Sequence, residues 1–160
     1  MIKAAVDDTK VQLRLATIPE RVHAELLLAV TAQTLALEGY IKGSKLSGQV
    51  LNRRTGNLRA SIQRAIDNQA DAVIGRVFSD GTVKYARIHE YGGTIRIPDV
   101  YPVRAQALHF FTGGKEVFAK HVRAHTVTMP ERSFMRSALA DRRDAILAAL
   151  KAAVIKGLRG

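Results

Sequence analysis

The sequence of 160 residues contains no cysteine, and its apolar runs are short. The absence of cysteine excludes disulfides, thiolate zinc sites and thiol nucleophiles, and it fits synthesis in a reducing cytoplasm. The longest apolar run, residues 26–34, is interrupted by Thr31 and Gln33 and is far shorter than the roughly 20 residues of a membrane-spanning helix. The N-terminal residues also lack the basic and then apolar pattern of a signal peptide. We therefore expect no membrane partner and no secretion by that route.

Motifs that bind nucleotides or build hydrolase sites are also lacking. Neither a GxxxxGK(S/T) loop nor a dinucleotide-binding glycine pattern occurs, and Ser44 and Ser47 do not form a GxSxG nucleophile elbow. His121 and His125 are four residues apart, but their context is strand-like and further metal ligands are not evident. Since a catalytic mechanism needs a mutually positioned set of groups, the sequence predicts a protein that is not an enzyme, without cofactor or metal.

Positive charge is the strongest bias in what is present. The formal net charge of +11 indicates attraction to an anionic partner, either nucleic acid or an acidic protein surface. Between Glu38 and Asp67 the chain contains basic residues and no acidic residue. These basic residues are Lys42, Lys45, Arg53, Arg54, Arg59 and Arg64. This segment is expected to be electropositive.

The first half of the chain has patterns of helices joined by a loop. Residues 10–16 alternate between apolar and polar, which predicts that residues 1–18 form an N-terminal strand or arm. Pro19 is suited to the first position of a long helix, whose apolar stripe follows it. Residues 43–53 have the glycine and serine content of a flexible basic loop. Thr55 is expected to cap a short second helix. The apolar face of that helix would contain Leu58, Ile62, Ala65 and Ile66.

The second half reads as strands followed by a helix. Residues 71–79 are rich in valine, isoleucine and phenylalanine and predict a strand, with a turn after it. Residues 85–91 predict a short helical turn that stops at a glycine pair, and residues 94–97 a further strand. Residues 98–128 predict a hairpin excursion around Thr112-Gly113-Gly114. A terminal helix is expected after Pro130.

These elements predict one α+β domain over residues 1–160, a length that suits a single domain with a core. The content of 47% hydrophobic and 24% charged residues is in the ordinary range of globular proteins. Its architecture would be a small antiparallel sheet with a protruding β-hairpin. This sheet would pack against the long N-terminal helix, the short second helix and the long C-terminal helix.

Three segments resemble a family of tail-completion and head-tail joining proteins of long-tailed bacteriophages, a minor tail component also described as a virion morphogenesis family. RTGNLRASI (54–62) is similar to the family's RTGxLxxSI, and YARIHEYGG (85–93) to its YAxxHEYG element. PERSFMRSAL (130–139) is similar to PARPF(L/M)xxAL, with Glu131 where a small residue is usual and Ser133 where proline is usual. The resemblance covers about residues 20–97 and 129–155.

The resemblance implies a structural virion protein that assembles in the host cytoplasm and forms a homo-oligomeric ring, usually a hexamer, at the head-proximal end of the tail. Such a ring would join the tail tube protein to head-tail connector or neck proteins, with phage DNA passing through its channel. A heterologous interface between subunits would close the ring. The basic segment between Lys42 and Arg64 would then mainly meet acidic neighbouring subunits or proteins.

The residues themselves indicate which side chains would meet a subunit or partner. A tight corner that ends in glycines presents rigid rings and charges, as interfaces prefer, and Arg132 can bind a carboxylate through two nitrogens. The candidate interface residues are Arg53, Arg54, Arg59, His89, Glu90, Tyr91 and Arg132. Leu58, Ile62 and Phe134 are instead expected in the core, and Tyr85 and Ile88 are as well suited to burial within the subunit.

Two other functions remain open from the sequence. In one, the exposed arginines form a phosphate-binding track, so that the chain is a basic nucleic-acid-binding module. The low aromatic content, 6%, and the lack of a base-reading motif argue against sequence-specific recognition. The other is a regulatory partner-binding protein, which would not self-assemble.

Overall fold

The computed structural model describes residues 9–52 and 54–159, with side chains from residue 17 onward in those ranges. Its elements are α1 Thr9–Tyr40, a π-helical segment Ile41–Gln49, α2 Asn57–Ala60, β1 Ile62–Asn68, β2 Val73–Ser79, α3 Ala86–Tyr91, β3 Gly93–Ile97, β4 Leu108–Thr112, β5 Lys115–Ala119, β6 His125–Met129 and α4 Met135–Arg159. The strands form antiparallel pairs, β1 with β2, β3 with β6 and β4 with β5. The predicted α+β class with long first and last helices is confirmed.

Two compact units are distinguished where the sequence predicted one domain. The helical unit comprises Met1–Ala86 and Ser133–Gly160, and the hairpin unit comprises Arg87–Arg132. The chain leaves the helical unit after Ala86, within α3, and returns to it at Ser133, just before α4. Each unit is therefore described separately below.

In the helical unit, α1 and α4 lie antiparallel in close contact. Lys156 Nζ is 2.8 Å from a carboxylate oxygen of Glu25 near one end of the pair. Near the other end, the Tyr40 hydroxyl donates to Asp141 Oδ2 at 2.9 Å. A Cβ atom at Gly157 would lie 2.6 Å from the Cα of Val22, so the two backbones approach too closely for any larger residue.

The core of the helical unit draws on distant parts of the chain. Its largest fully buried side chains, Ile41, Ile62 and Phe134, are at most 1% exposed. Four further apolar residues complete the cluster around them. These further core residues are Leu46, Val83, Ala86 and Ala138. The β1–β2 hairpin crosses α1 at Gly75, where a Cβ atom would lie 2.0 Å from Thr34 Oγ1. The predicted core positions of Ile62 and Phe134 are confirmed.

The predicted N-terminal strand is wrong over the residues that the structure describes, because α1 begins at Thr9 and Pro19 lies inside it. Residues 1–8 of that prediction lie outside the described residues. Val11, Leu15, Ile18 and Val22 recur at helical spacing, so the short alternation of residues 10–16 has a second, helical interpretation. Pro19 removes one hydrogen bond from the helix but does not end it.

The predicted flexible loop at residues 43–53 is also wrong in its first part. Residues up to Gln49 continue α1 as the π-helical segment, and the side chains of Lys45 and Leu46 are buried. The carbonyl of Lys45 accepts hydrogen bonds from the amides of Val50 and Leu51 at 3.2 and 3.0 Å. The helical geometry is interrupted at Ser47 and at Gly48, which has φ +125°, near the end of this packed segment, while Gly43 lies inside it.

The predicted second helix is much shorter than its apolar spacing suggested. Only Asn57–Ala60 is helical, and its N-cap residue is Gly56 in the left-handed region rather than Thr55, although the amide of Asn57 donates to Thr55 Oγ1 at 3.5 Å. Ile62–Asn68 is strand β1, paired with β2 from Ile62–Ser79 to Asn68–Val73. Ile62 and Ile66 also fit a strand, and pairing with a partner distant in sequence outweighs the local helical pattern.

The hairpin unit contains one long, interrupted β-hairpin. The β3–β6 pairing runs from Gly93–Met129 to Ile97–His125, and an isolated bridge between Val100 and Val122 continues it in register. The β4–β5 pairing follows and ends at Thr112–Lys115, so the turn has two residues. These are Gly113 and Gly114, both at positive φ, as a type I′ turn requires. The predicted hairpin is thus confirmed, although the end of residues 98–128 belongs to β6 and returns to β3.

Candidate interaction surface

The three segments with the family-like pattern converge on the core of the helical unit. Ile62 comes from the first segment, Ala86 from the second, and Phe134 and Ala138 from the third. Leu58 is half-buried against the same cluster. These apolar positions of the pattern therefore have a packing role, whereas Leu139 and Tyr91 of the same segments are exposed.

Within the hairpin unit, α3 is held against the residues that follow β6. The amide of Arg132 donates to the carbonyl oxygen of His89 at 2.8 Å. Gly92 ends α3 at φ +66°, where a Cβ atom would lie 2.7 Å from the backbone nitrogen of Glu131. Burial lowers the pKa of His89, and the nearby Arg132 guanidinium lowers it further. The imidazole is therefore neutral near pH 7.

The structure divides the candidate interface residues between the two units. Arg54 and Arg59 are exposed in the helical unit, while Arg53 lies outside the described residues. In the hairpin unit, Tyr91 and Arg132 are exposed and His89 is half-buried.

Glu90 has a different position from the other candidates. It is 4% exposed, so the prediction that it meets a neighbouring subunit is corrected to a buried position within the chain. It lies in the same short helix, α3, directly before Tyr91, whose ring is exposed. Two adjacent residues of one helix thus differ in burial, a distinction that the sequence pattern did not contain.

Three residues of the basic segment pair with acidic groups of the same chain. Lys42 Nζ lies 2.6 Å from Glu38 Oε1, and Arg64 also pairs with Glu38. The buried Lys45 Nζ lies 2.7 Å from Asp141 Oδ2. Hydrogen bonds from Lys42 and Arg64 lower the pKa of Glu38. Lys42, Lys45 and Arg64 therefore have acidic partners within their own chain, and the expectation of acidic neighbours remains a prediction.

An exposed aromatic face occurs on the β4–β5 hairpin and was not foreseen from the sequence. We define this face as His109, Phe111, Glu116 and Phe118, which alternate along the two strands onto one side. The His109 ring stacks on Phe118 with centroids 4.8 Å apart and meets Phe111 edge-on at 5.3 Å. His109 Nε2 lies 2.7 Å from Glu116 Oε1, which fixes the ring. Phe111 and Phe118 are nevertheless 69% and 65% exposed.

An apolar groove lies on the helical unit. Its volume is about 280 Å³, and it is formed by side chains of α1, β2 and α4. We define the apolar groove by Val30, Gln33, Thr34, Leu37, Val73, Ile74, Gly75, Leu139, Ile146 and Leu150. Leu139 and Ile74 are partly exposed at its surface. An open apolar groove of this kind suits the side chains of a partner.

The described residues do not form a group of three or more His, Asp or Glu side chains that could hold a metal ion. His121 instead stacks on Tyr101 and pairs with Asp99 at 2.7 Å. Hydrogen bonds from His121 and from the amide of Ala124 lower the pKa of Asp99. Among the residues that the structure describes, no helix is long and apolar enough to cross a bilayer. Comparisons with protein-family models, curated proteins and solved structures found no match to this chain.

Proposed function

We propose that the chain is a structural virion protein of a long-tailed phage, which forms a ring at the head-proximal end of the tail and joins the tail tube to the head connector or neck. The order and spacing of segments 54–62, 85–93 and 130–139 suggest this family. Their convergence on one core supports the view that they belong together as one structural pattern.

The observation that carries the proposal is the exposure of apolar side chains in the hairpin unit. Residues 87–132 are all described, and Glu90 alone among them is buried. Phe111, Phe118, Tyr101 and Val103 are at least 61% exposed. A two-stranded hairpin is at best marginally stable in isolation, and exposed apolar groups of this size are typical of interaction sites. Such a unit suits a protein that is completed by its assembly partners.

The test is the assembly state of the purified chain, measured by light scattering after size-exclusion chromatography and by electron microscopy. We expect closed rings, which a heterologous interface can form, and the resemblance implies about six copies in each. We further expect these rings to bind the head-proximal end of isolated tails. A chain that stays monomeric at all concentrations and does not bind tails would contradict the proposal.

The second candidate, a nucleic-acid-binding module, is favoured by exposed basic residues. Arg54, Arg59 and Arg143 form no ion pair within the described part of the chain. That function requires tight binding of duplex DNA by the monomer, with an affinity that falls steeply as salt rises. Weak binding at physiological salt, together with ring formation, would favour the structural protein.

A further inference from the structure

We propose that the aromatic face of the β4–β5 hairpin of one copy inserts into the apolar groove on the helical unit of the next copy. The inference rests on the proposed function in one respect, that the chain assembles with itself. It adds the two surfaces that meet and the residues that pair across them.

The side chains of the aromatic face are already held in position before any partner binds. Phe111 and Phe118 flank His109, whose ring is fixed by Glu116 and by stacking, so that binding orders few side chains that are not already ordered. Rigid aromatic side chains bury a large area at low entropic cost and dominate binding energy in many interfaces. Within the chain these two phenylalanines bury only about a third of their surface.

The groove has the size and chemistry for such side chains. An apolar cavity of about 150 Å³ is large enough to bind benzene. The volume of about 280 Å³ here would therefore hold one phenyl ring and part of a second. Its polar members, Gln33 and Thr34, are few, so that most of its lining offers no hydrogen bonds that a ring would leave unsatisfied.

Charge complementarity accompanies the apolar fit. Arg143 follows Leu139 by four residues and precedes Ile146 by three, so helical spacing places it on the groove face of α4. It is exposed and forms no ion pair within the described residues. Glu116 lies on the aromatic face and is half exposed beyond its contact with His109. An inserted hairpin would therefore bring a carboxylate to a free guanidinium.

A second copy is the occupant because the chain itself carries both surfaces. One is an exposed aromatic knob and the other an apolar recess of matching size, on different units. A contact between two different surfaces of identical chains is heterologous, and repetition of it gives a ring when the rotation closes. The proposed ring needs a contact of this type.

The absence of cysteine allows a direct test by disulfide cross-linking. Phe118→Cys in one preparation and Leu139→Cys in a second, differently tagged preparation are mixed under assembly conditions and oxidised. We expect a cross-link between the two tagged chains. Val103→Cys, at the most exposed apolar residue of the hairpin unit, replaces Phe118→Cys as the matched control and should give at least tenfold less product.

The outcomes separate the inference from the proposed function. Normal rings without the cross-link would overturn the inference and leave the function standing. Failure of the unmodified chain to assemble would overturn both. A link that forms only within single chains of the double variant Phe118→Cys/Leu139→Cys would also overturn the inference, because it would mean that the groove receives its own hairpin.

A charge exchange gives an independent readout. Glu116→Arg and Arg143→Glu should each weaken self-association at least tenfold in sedimentation experiments, and the double variant should recover most of that loss. Asp71→Arg changes the same charge at another exposed acidic position and should leave association unchanged. Equal losses in the single and double variants would overturn the pairing of Glu116 with Arg143.

Discussion

The helical unit buries Ile41, Ile62 and Phe134 almost completely, whereas the hairpin unit, all of whose residues are described, buries only Glu90. The first unit has long helices in close contact, a hairpin that crosses α1, and acidic residues that pair with its own lysines and arginines. The second has strand pairs with large apolar side chains on the surface. The two units therefore differ in how much of their apolar surface is buried within the chain.

This contrast suggests a division of tasks. Burial of apolar surface supplies the dominant favourable term in folding, so the helical unit contains the groups that stabilise the chain. The hairpin unit leaves its aromatic residues uncovered, and apolar area that folding does not bury remains for association. The same kind of residue, phenylalanine, should therefore have opposite roles at Phe134 and Phe118.

The largest effect is expected for Phe134→Ala, compared with Phe118→Ala. Phe134 is 1% exposed, so its truncation should lower the free energy of unfolding by about 3 to 5 kcal/mol. Phe118→Ala should lower it by less than about 1 kcal/mol, as is usual for surface substitutions, and impair self-association instead. Urea denaturation of dilute monomer measures both. Similar losses of stability in the two variants would remove the contrast between the units.

The next effect concerns the close approach of α1 and α4. Gly157→Ala should cost about 1 to 3 kcal/mol of stability, because the new Cβ atom would meet the Val22 backbone at 2.6 Å. Gly39→Ala is the matched control within α1, where a Cβ atom meets nothing within 4 Å. It should be neutral or stabilise by up to about 1 kcal/mol through helix propensity. Thermal unfolding compares them, and a destabilised Gly39→Ala would refute this explanation.

Glu38 gives a pH dependence to the helical unit. Hydrogen bonds from Lys42 and Arg64 lower its pKa in the folded state, so its contribution to stability is present above the unfolded value, about 4.3. That contribution should be lost as the pH falls below this value through the lowered folded pKa.

Glu38→Gln should cost about 1 to 3 kcal/mol near pH 7, the range for hydrogen bonds to charged groups. The variant should also show a smaller fall in stability between pH 5 and pH 3 than the unmodified chain. Urea denaturation as a function of pH measures the difference. Parallel pH profiles for the two proteins would show that Glu38 does not carry this dependence.

The smallest effect is expected at Lys45. Its side chain is buried, while its partner Asp141 is 43% exposed and can be solvated after the lysine is removed. Lys45→Met keeps the length of the side chain and removes a buried charge, so it should change stability by less than about 1.5 kcal/mol. A loss above about 3 kcal/mol in urea denaturation would mean that the ion pair itself is needed by the core.

The elements that the sequence predicted well have local signals. Gly113 and Gly114 mark the β4–β5 turn, Gly92 marks the end of α3, and an apolar stripe after Pro130 marks α4. Predictions failed where the apolar residues fit both the spacing of a helix and the alternation of a strand. Residues 10–16 fit a strand or a helix, and Ile62 fits either, so that contacts distant in sequence decide between them.

The ion pairs of the basic segment and the exposed aromatic face were harder to predict from the sequence. Glu38 stands four residues before Lys42, which is a recognisable helical pair, but Asp141 is far from Lys45 in sequence and no local pattern predicts their contact. Phe111 and Phe118 alternate as core residues would. Only the structure shows that the hairpin leaves them exposed, and that an apolar groove lies on the helical unit.

The most direct test of the division between the units is amide hydrogen exchange, measured on the dilute monomer and on the assembled protein. In the monomer we expect residues 108–119 to exchange much faster than the core of the helical unit, since their strands lack buried contacts. On assembly, these residues and the α4 face around Leu139 and Arg143 should gain protection while the core around Phe134 stays unchanged. Assembly that leaves the exchange of residues 108–119 as it is in the monomer would contradict the account.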